Sequence, residues 1–544
     1  MGCHGFQPLP VPRKSGFVRT SSIRIAVFIA LACAVGHRAY GQTCQPQEAQ
    51  CSASLKQRLQ SIVHGRVYEF NSSDPIDAEL LDVWLEPGDP QDFEKTPALV
   101  LGVSDVNDVV TAVKFAQQSS LSIGTRGAAC SIQKSFIPPN GLMLDMSDLR
   151  QVIVDPEAGV AIVQGGVSGA DVEEATKPYG IAVPWGDALT TGMGLALHGG
   201  IGYSSRAYGL TTDSILNATL VLANGSVVTA NETHNADLLQ GLHGAGSIFG
   251  VVVEAALQLY DVSYWFGGYL LALDDAQGNG FKAVHEWAQE AMVQQPTMGV
   301  EIFRVSTLKA VQPQLPDAPG LAVIVGDPGS YLNQGAEARA SKEATVKLLL
   351  DLPIIIPNTS SIGKLDYYLT ELIVTSMSPP FAAGVWISAI ARFDQDSDEF
   401  LDLVTNLTYQ TPPGIVADSL YDYLGSTVVD NAVKNTSSFT CFHGEVDYHF
   451  FIQYSWPIGG DNAANFAFAE SARQAIEPFV IATQPYVNLA TVVSDGFVEV
   501  QVGGAKKLEQ LRALKASIDP TNVFSQNPFK GLWVPSMRQL AQAE

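Results

Sequence analysis

An imidazole and a carboxylate two residues apart, His443 and Glu445, open a run dense in ionisable and aromatic groups that extends from Cys441 to Trp456. On an extended strand the two would share a face, and a carboxylate beside an imidazole tunes it for general acid or base work. Tyr448 and Gln453 complete the candidate catalytic set, with Gln453 or its alternating neighbours facing a substrate. The bland alternative is a solvated turn at Glu445 and Asp447 followed by aromatic core. A metal site is disfavoured, because His443, Asp447 and His449 do not form a helical H-x-x-x-H frame. A serine hydrolase is excluded by the lack of a G-x-S-x-G elbow.

A second stretch, Thr125-Arg126-Gly127-Ala128-Ala129-Cys130-Ser131, joins two β-like runs through small residues and one arginine. Free backbone N–H groups in such a turn suit an anion, above all a diphosphate, although a simple tight turn has the same composition. Ala128 and Ala129 permit close approach of a diphosphate only where φ is negative. Glycine is also dense from Ile181 to Leu210. There Gly192-Met193-Gly194 begins a dinucleotide fingerprint, but Leu197 replaces its third glycine and no strand-then-helix frame surrounds it.

The elements that position these stretches follow from periodicity. Ala98 to Val103 reads as a buried strand, followed by a helix capped at Ser104 with Val106, Val109, Val110 and Val113 on one face. Strands at 142–145, 152–154 and 160–164 lead to a helix from Ser168 to Tyr179 that stops at Gly180. Asn224-Gly225 turns a hairpin between 218–223 and 227–229. Strands at 264–273, 298–306, 321–326, 385–392 and 448–456, with helices at 281–292 and 334–350 among them, predict an antiparallel sheet covered by helices on one side. A last helix, 505–518, ends at Asp519-Pro520.

Composition bounds the class. The 544 residues are 46% apolar and carry a formal charge of −24, enough for two or three domains and unsuited to nucleic acid. Arg13, Lys14, Arg19 and Arg24 precede a short apolar run, Ile25 to Gly36, and Ala39-Tyr40-Gly41 offers a cleavage site before Gln42. That pattern predicts a signal peptide over residues 1–41 and a secreted or lumenal protein without stable membrane insertion. Sequons at Asn71, Asn217, Asn224, Asn231, Asn358, Asn406 and Asn435 agree with N-glycosylation on that route. Cys44 and Cys51 are expected to form a disulfide there, leaving Cys130 and Cys441.

Motif order then carries a resemblance. Thr96-Pro97, Arg126 to Ser131, Pro184-Trp185-Gly186 to Gly202 and Ser205-Arg206-Ala207-Tyr208-Gly209-Leu210 come first. Asp213, Asn224-Gly225, Gly244-Ala245-Gly246, Phe249-Gly250-Val251-Val252 and Asp519-Pro520-Thr521-Asn522-Val523-Phe524 complete the series. Together they resemble the berberine bridge enzyme-like branch of the vanillyl-alcohol-oxidase superfamily of FAD-linked oxidases. The resemblance implies an α+β fold with a two-part PCMH-type FAD-binding domain and a separate substrate domain. In residues, it implies an N-terminal segment 42–93, a FAD domain 94–262, a substrate domain 263–481 and a returning segment 482–544.

The implied flavin ligands are Arg126, Gly127, Ala128, Ala129, Cys130, Ser131, Gly186, Thr190, Thr191, Gly194, Gly199, Gly200, Val251, Val252 and Asn522. Cys130 stands where the family's R-G-G-G-H-S motif has its flavin-linking histidine, and Ala188 stands near the place of its linking cysteine. The expectation is therefore non-covalent FAD, or an unusual thioether through Cys130. The implied chemistry is proton removal by a base between Glu445 and Tyr454, hydride transfer to flavin N5, and reoxidation by dioxygen. A small organic, secondary-metabolite-like molecule is the expected substrate. A redox-neutral isomerase or cyclase, and a secreted ligand-binding glycoprotein, are the alternatives.

Overall fold

Runs of β-branched and apolar residues, divided by glycine, asparagine and proline turns, fold into three principal sheets of an α+β chain. The computed structural model describes residues 54–69, 96–131, 134–263, 265–327, 335–363, 367, 383–425, 446–457, 461–483, 499, 501–502, 504–526 and 529. The expectations for residues 1–41, Cys44, Cys51, Asn71, Asn435, Cys441, His443 and Glu445 lie outside the described residues.

The first sheet contains β1 (Val67–Glu69), β2 (Leu99–Gly102), β3 (Ile123–Arg126) and β4 (Leu142–Asp145), in the order β1-β2-β4-β3. β2, β4 and β3 are parallel, so a helix, Val106–Gln118, must cross over between β2 and β3. Its cap is Asp105 and not Ser104. The Asp105 carboxylate accepts the N–H groups of Asn107 and Asp108 at 2.7 and 3.1 Å. The backbone N–H of Ser104 is instead drawn to the buried Asp108 carboxylate, which also collects those of His64 and Gly65.

The second sheet, antiparallel throughout, has the order β5-β6-β10-β8-β9. Its strands are β5 (Val152–Asp155), β6 (Val160–Gln164), β8 (Ile215–Val221), β9 (Val227–Asn231) and β10 (Val251–Gln258). β7 (Ile181–Ala182) and β11 (Tyr260–Asp261) pair separately. Ser168 and Asp171 cap the helix Gly169–Thr176 reciprocally, and the segment ends at Gly180 in the left-handed region (φ 66°).

The third sheet has seven antiparallel strands in the order β12-β14-β13-β16-β17-β15-β18. They are β12 (Phe266–Leu273), β13 (Gly299–Val305), β14 (Gly320–Asp327), β15 (Ala383–Ala391), β16 (Val416–Tyr423), β17 (Tyr448–Trp456) and β18 (Ala482–Thr483). One face packs on the helices Asn279–Gln294, Gly335–Leu350, Asp398–Tyr409 and Asn462–Ile476 through a core including Trp287, Phe400, Tyr421 and Phe450.

The chain's last described helix, Ala505–Ile518, returns to the second sheet, burying Leu508 and Leu511 with Leu242 and Phe249. Lys515 fixes it: Nζ donates to the Ile248 carbonyl at 2.6 Å and to Asp519 at 2.5 Å. Asp519 in turn accepts the N–H groups of Val523 and Phe524. The Val523 carbonyl then receives the Ile123 N–H at the start of β3. Among the described residues no helix is long and apolar enough to cross a membrane.

Candidate active site

Strand alternation decides which side chains leave the helix-packed core. On β17, Tyr448, Phe450, Ile452 and Tyr454 face the helices, whereas His449, Phe451 and Gln453 face the other way. Tyr448 is thereby turned from the candidate site: its hydroxyl donates to Asp396, which also bonds His285 beneath the sheet. Gln453 keeps the expected face, is almost buried, and donates to the Ser455 hydroxyl at 3.1 Å. Asp447, considered above with His449, accepts the Phe393 N–H instead.

Register places three polar residues in a row across this face. Glu301 of β13 lies opposite Asp422 of β16, and Asp422 lies opposite His449 of β17. His449 Nδ1 is 2.8 Å from Asp422, and its Nε2 is 2.9 Å from the Ser388 hydroxyl of β15. An ionised carboxylate only accepts, so Nδ1 carries the proton and Nε2 accepts from Ser388. Beside the row, Trp386 and Phe451 stack at 4.6 Å and join Leu420 and Phe303 in an apolar patch.

The glycine-rich segment meets this row. Asp187, immediately after Pro184-Trp185-Gly186, brings its carboxyl to Glu301 and Asp422, with oxygens of all three within 4.8 Å of one another. Burial, and then the Glu301 and Asp422 carboxylates, hold the Asp187 carboxyl well above the ordinary range. Gly299 makes the approach possible, because a Cβ there would lie 1.9 Å from the Tyr203 carbonyl oxygen.

On the other side of Asp187 the same segment approaches the loop that follows β3. A Cβ on Gly192 would meet that of Ala128 at 2.9 Å, and one on Gly165 would lie 2.2 Å from the Val252 carbonyl. Thr190 donates to the Cys130 sulfur at 3.9 Å. Among the described residues, the amides of Gly127, Ala128, Ala129 and Cys130 have no acceptor. Arg126 pairs with Asp145 at 2.9 Å, leaving its buried Nε without one. A run of unspent amides flanked by glycines, with open space beside exposed Gly194, fits the diphosphate end of FAD.

One condition set by the sequence is not met: Ala129 has φ 63°. The turn accepts a left-handed alanine where a negative φ was required. Other residues of the expected flavin set shape the cradle's frame. Gly199 (φ 123°) and Gly200 (φ 87°) take the N–H groups of Thr212 and Thr211, Thr191 bonds Trp185 Nε1 at 2.9 Å, and Val251 is core. Ser131 closes a tight turn onto the Ala129 carbonyl, and Asn522 (φ 53°) turns the chain into Val523. His198, neutralised by burial to about 4, joins the Gly194 carbonyl at 2.6 Å to Ser247 at 2.8 Å.

Comparison with known proteins bears on this cradle. Residues 97–231 match the model of a family described as the FAD binding domain. These residues are a FAD-binding domain. A FAD-linked oxidoreductase of Dictyostelium discoideum is 23% identical over 441 residues, 80% of this chain and 89% of that protein. Among solved structures, 6-hydroxy-D-nicotine oxidase from Arthrobacter nicotinovorans superposes with a TM-score of 0.72 at 20% identity, covering 86% of this chain and 97% of its own. The BBE-like 1 protein of Physcomitrella patens gives 0.71 at 22% identity, covering 88% and 98%. The chain thus shares its fold with a nicotine oxidase and a BBE-like protein, and its FAD-binding domain makes FAD its cofactor.

The sequence did not single out Gly165, Asp187, Glu301, Ser388, Asp422 or Lys515; His449 lay within the stretch from Glu445 to Tyr454 expected to hold the base, but was named individually only as a disfavoured metal ligand. Alternation within Val416-Ala417-Asp418-Ser419-Leu420-Tyr421-Asp422-Tyr423 was the available signal for Asp422.

Proposed function

We propose that the protein is a FAD-dependent oxidoreductase that oxidises a small organic, secondary-metabolite-type substrate, with dioxygen as electron acceptor. The observation that carries this reading is the contact of Asp187, beside the glycine-rich flavin segment, with the row Glu301–Asp422–His449. It sets a hydrogen-bonded imidazole on the sheet face that abuts the FAD-binding domain. When bound, the flavin would supply a two-electron acceptor for hydride.

The chain's own residues supply the remainder. Trp386, Phe451, Leu420 and Phe303 form an apolar wall that seats the substrate and excludes water. Asp422 orients His449, so that Nε2, now on the Ser388 hydroxyl, takes the proton of a substrate O–H or N–H. Gln453, directly cross-strand from Trp386 of β15 on one side and Asp418 of β16 on the other, offers an amide to orient it.

The flavin is held without a covalent bond in this reading. Cys130 is exposed, yet the protein packed around it raises its thiol above the ordinary value, only partly opposed by the Thr190 hydrogen bond, which disfavours the thiolate a thioether would need. The protein would follow the secretory route, with exposed Asn224, Asn358 and Asn406 as ready glycan acceptors. Acid precipitation of the purified protein tests the cofactor reading: a yellow supernatant over a colourless pellet is expected. Colour retained in the pellet would contradict non-covalent binding. A colourless protein that still converts a substrate would favour the redox-neutral isomerase or cyclase.

A further inference from the structure

Asp187 and Glu301 face one another at the junction of the FAD-binding domain and the seven-stranded sheet. Two ionised carboxylates offer only acceptors, so the pair is hydrogen-bonded only when one of them holds a proton. Asp422, 3% exposed, turns its second oxygen, Oδ1, into the same space, where it is buried and has no hydrogen-bond partner among the described residues. The Asp187 Oδ1 atom is in the same condition. The groups facing the pair are Asp422 from β16, His449 behind it on β17, and the Tyr203 backbone N–H on Asp187. Ser388, His449, Asp422 and the Asp187–Glu301 pair therefore form a continuous line from the apolar patch to the glycine-rich segment.

We propose that Asp187 and Glu301 share a single proton and, with Asp422, act as the proton store into which His449 discharges. The inference rests on the reading of His449 as the group that takes the substrate's proton. When Nε2 accepts that proton, the one on Nδ1 passes to Asp422. The three carboxyls then hold two protons in place of one, and their net charge falls from −2 to −1. A desolvated cluster of like charges gains from that neutralisation, which is what favours the transfer. The second proton returns to solvent once product has left. Asp187 and Glu301 are positioning residues on this account, acting through Asp422 and His449 without touching substrate.

The test uses the full chain without substrate, so it is independent of whether flavin is bound or redox-active. Infrared spectra near neutral pH, in light and heavy water, should show a protonated-carboxyl band that is absent from both Asp187→Asn and Glu301→Gln. Asparagine keeps a donor toward Glu301, so Asp187→Asn preserves the contact while removing the carboxyl proton, and this variant carries the infrared arm even if Glu301→Gln fails to fold. A wild-type spectrum without the band would overturn the proposal. So would a stoichiometric metal ion in the purified protein, or a carboxyl band that survives unchanged in Asp187→Asn. Absence of flavin from the protein would overturn the oxidoreductase reading and leave these arms intact.

Discussion

At Asp187 the balance between burial and charge has a measurable sign. Its folded-state pKa is raised above the unfolded value, so the folded chain binds the proton more tightly. That contribution to stability is complete below the ordinary carboxyl range and is lost as pH rises through the raised value. The Tm of the wild type should therefore fall over that interval more steeply than that of Asp187→Asn, as differential scanning calorimetry across a pH series would show. Parallel curves would mean that Asp187 titrates normally. Ala129 is the other residue whose conformation carries a consequence. A left-handed alanine costs about 1–2 kcal/mol, and glycine's extra freedom in the unfolded chain offsets part of the relief. Ala129→Gly should raise stability by up to about 1 kcal/mol in urea denaturation; a loss would show that the methyl group makes a compensating contact.

Among the elements, the decisive ones are the strands whose register aligns Glu301, Asp422 and His449, and the tail that closes the flavin side. Gly299 on β13 admits the Tyr203 carbonyl, and Gly299→Ala should destabilise by about 3 kcal/mol, since backbone on both sides cannot yield cheaply. Near-neutral behaviour in chemical denaturation would mean that the glycine-rich segment is not held against the sheet. Lys515→Met leaves the buried Asp519 carboxylate without its cation, which costs about 3–5 kcal/mol and should release the C-terminal helix to proteolysis. Resistance equal to wild type would contradict the clamp.

The helix 505–518 was legible from Leu508, Leu511, Leu514 and Ile518, and β17 from its aromatic alternation, because both elements bury one face. β16 was not foreseen, since Asp418, Ser419 and Asp422 are poor strand formers by propensity and pairing between β13 and β17 overrides it. For the same reason the base could be narrowed only to the stretch from Glu445 to Tyr454, which includes His449, and not to a single residue. The row around His449 exists only once strands far apart in sequence pair. Ala129 marks the opposite case: its place in a small-residue turn was readable, but its φ is set by the loop's closure and not by residue type.

In the molecule as a whole, a FAD-binding domain meets a sheet that carries an imidazole, a carboxylate row and an apolar wall. If it follows the secretory route, deglycosylation of protein from a eukaryotic host should lower its mass in several steps, and Asn224, Asn358 and Asn406 should be among the occupied sites. An unchanged mass would contradict passage through a glycosylating compartment. The central claim is that flavin is bound here and passes electrons to dioxygen, and one measurement reaches it without knowledge of the substrate. The visible spectrum of the purified protein is followed while dithionite reduces it anaerobically and air is then admitted. The account predicts an oxidised-flavin spectrum that bleaches on reduction and returns rapidly in air, with one hydrogen peroxide formed per flavin. A protein without flavin absorbance, or a reduced flavin that persists in air, would contradict it.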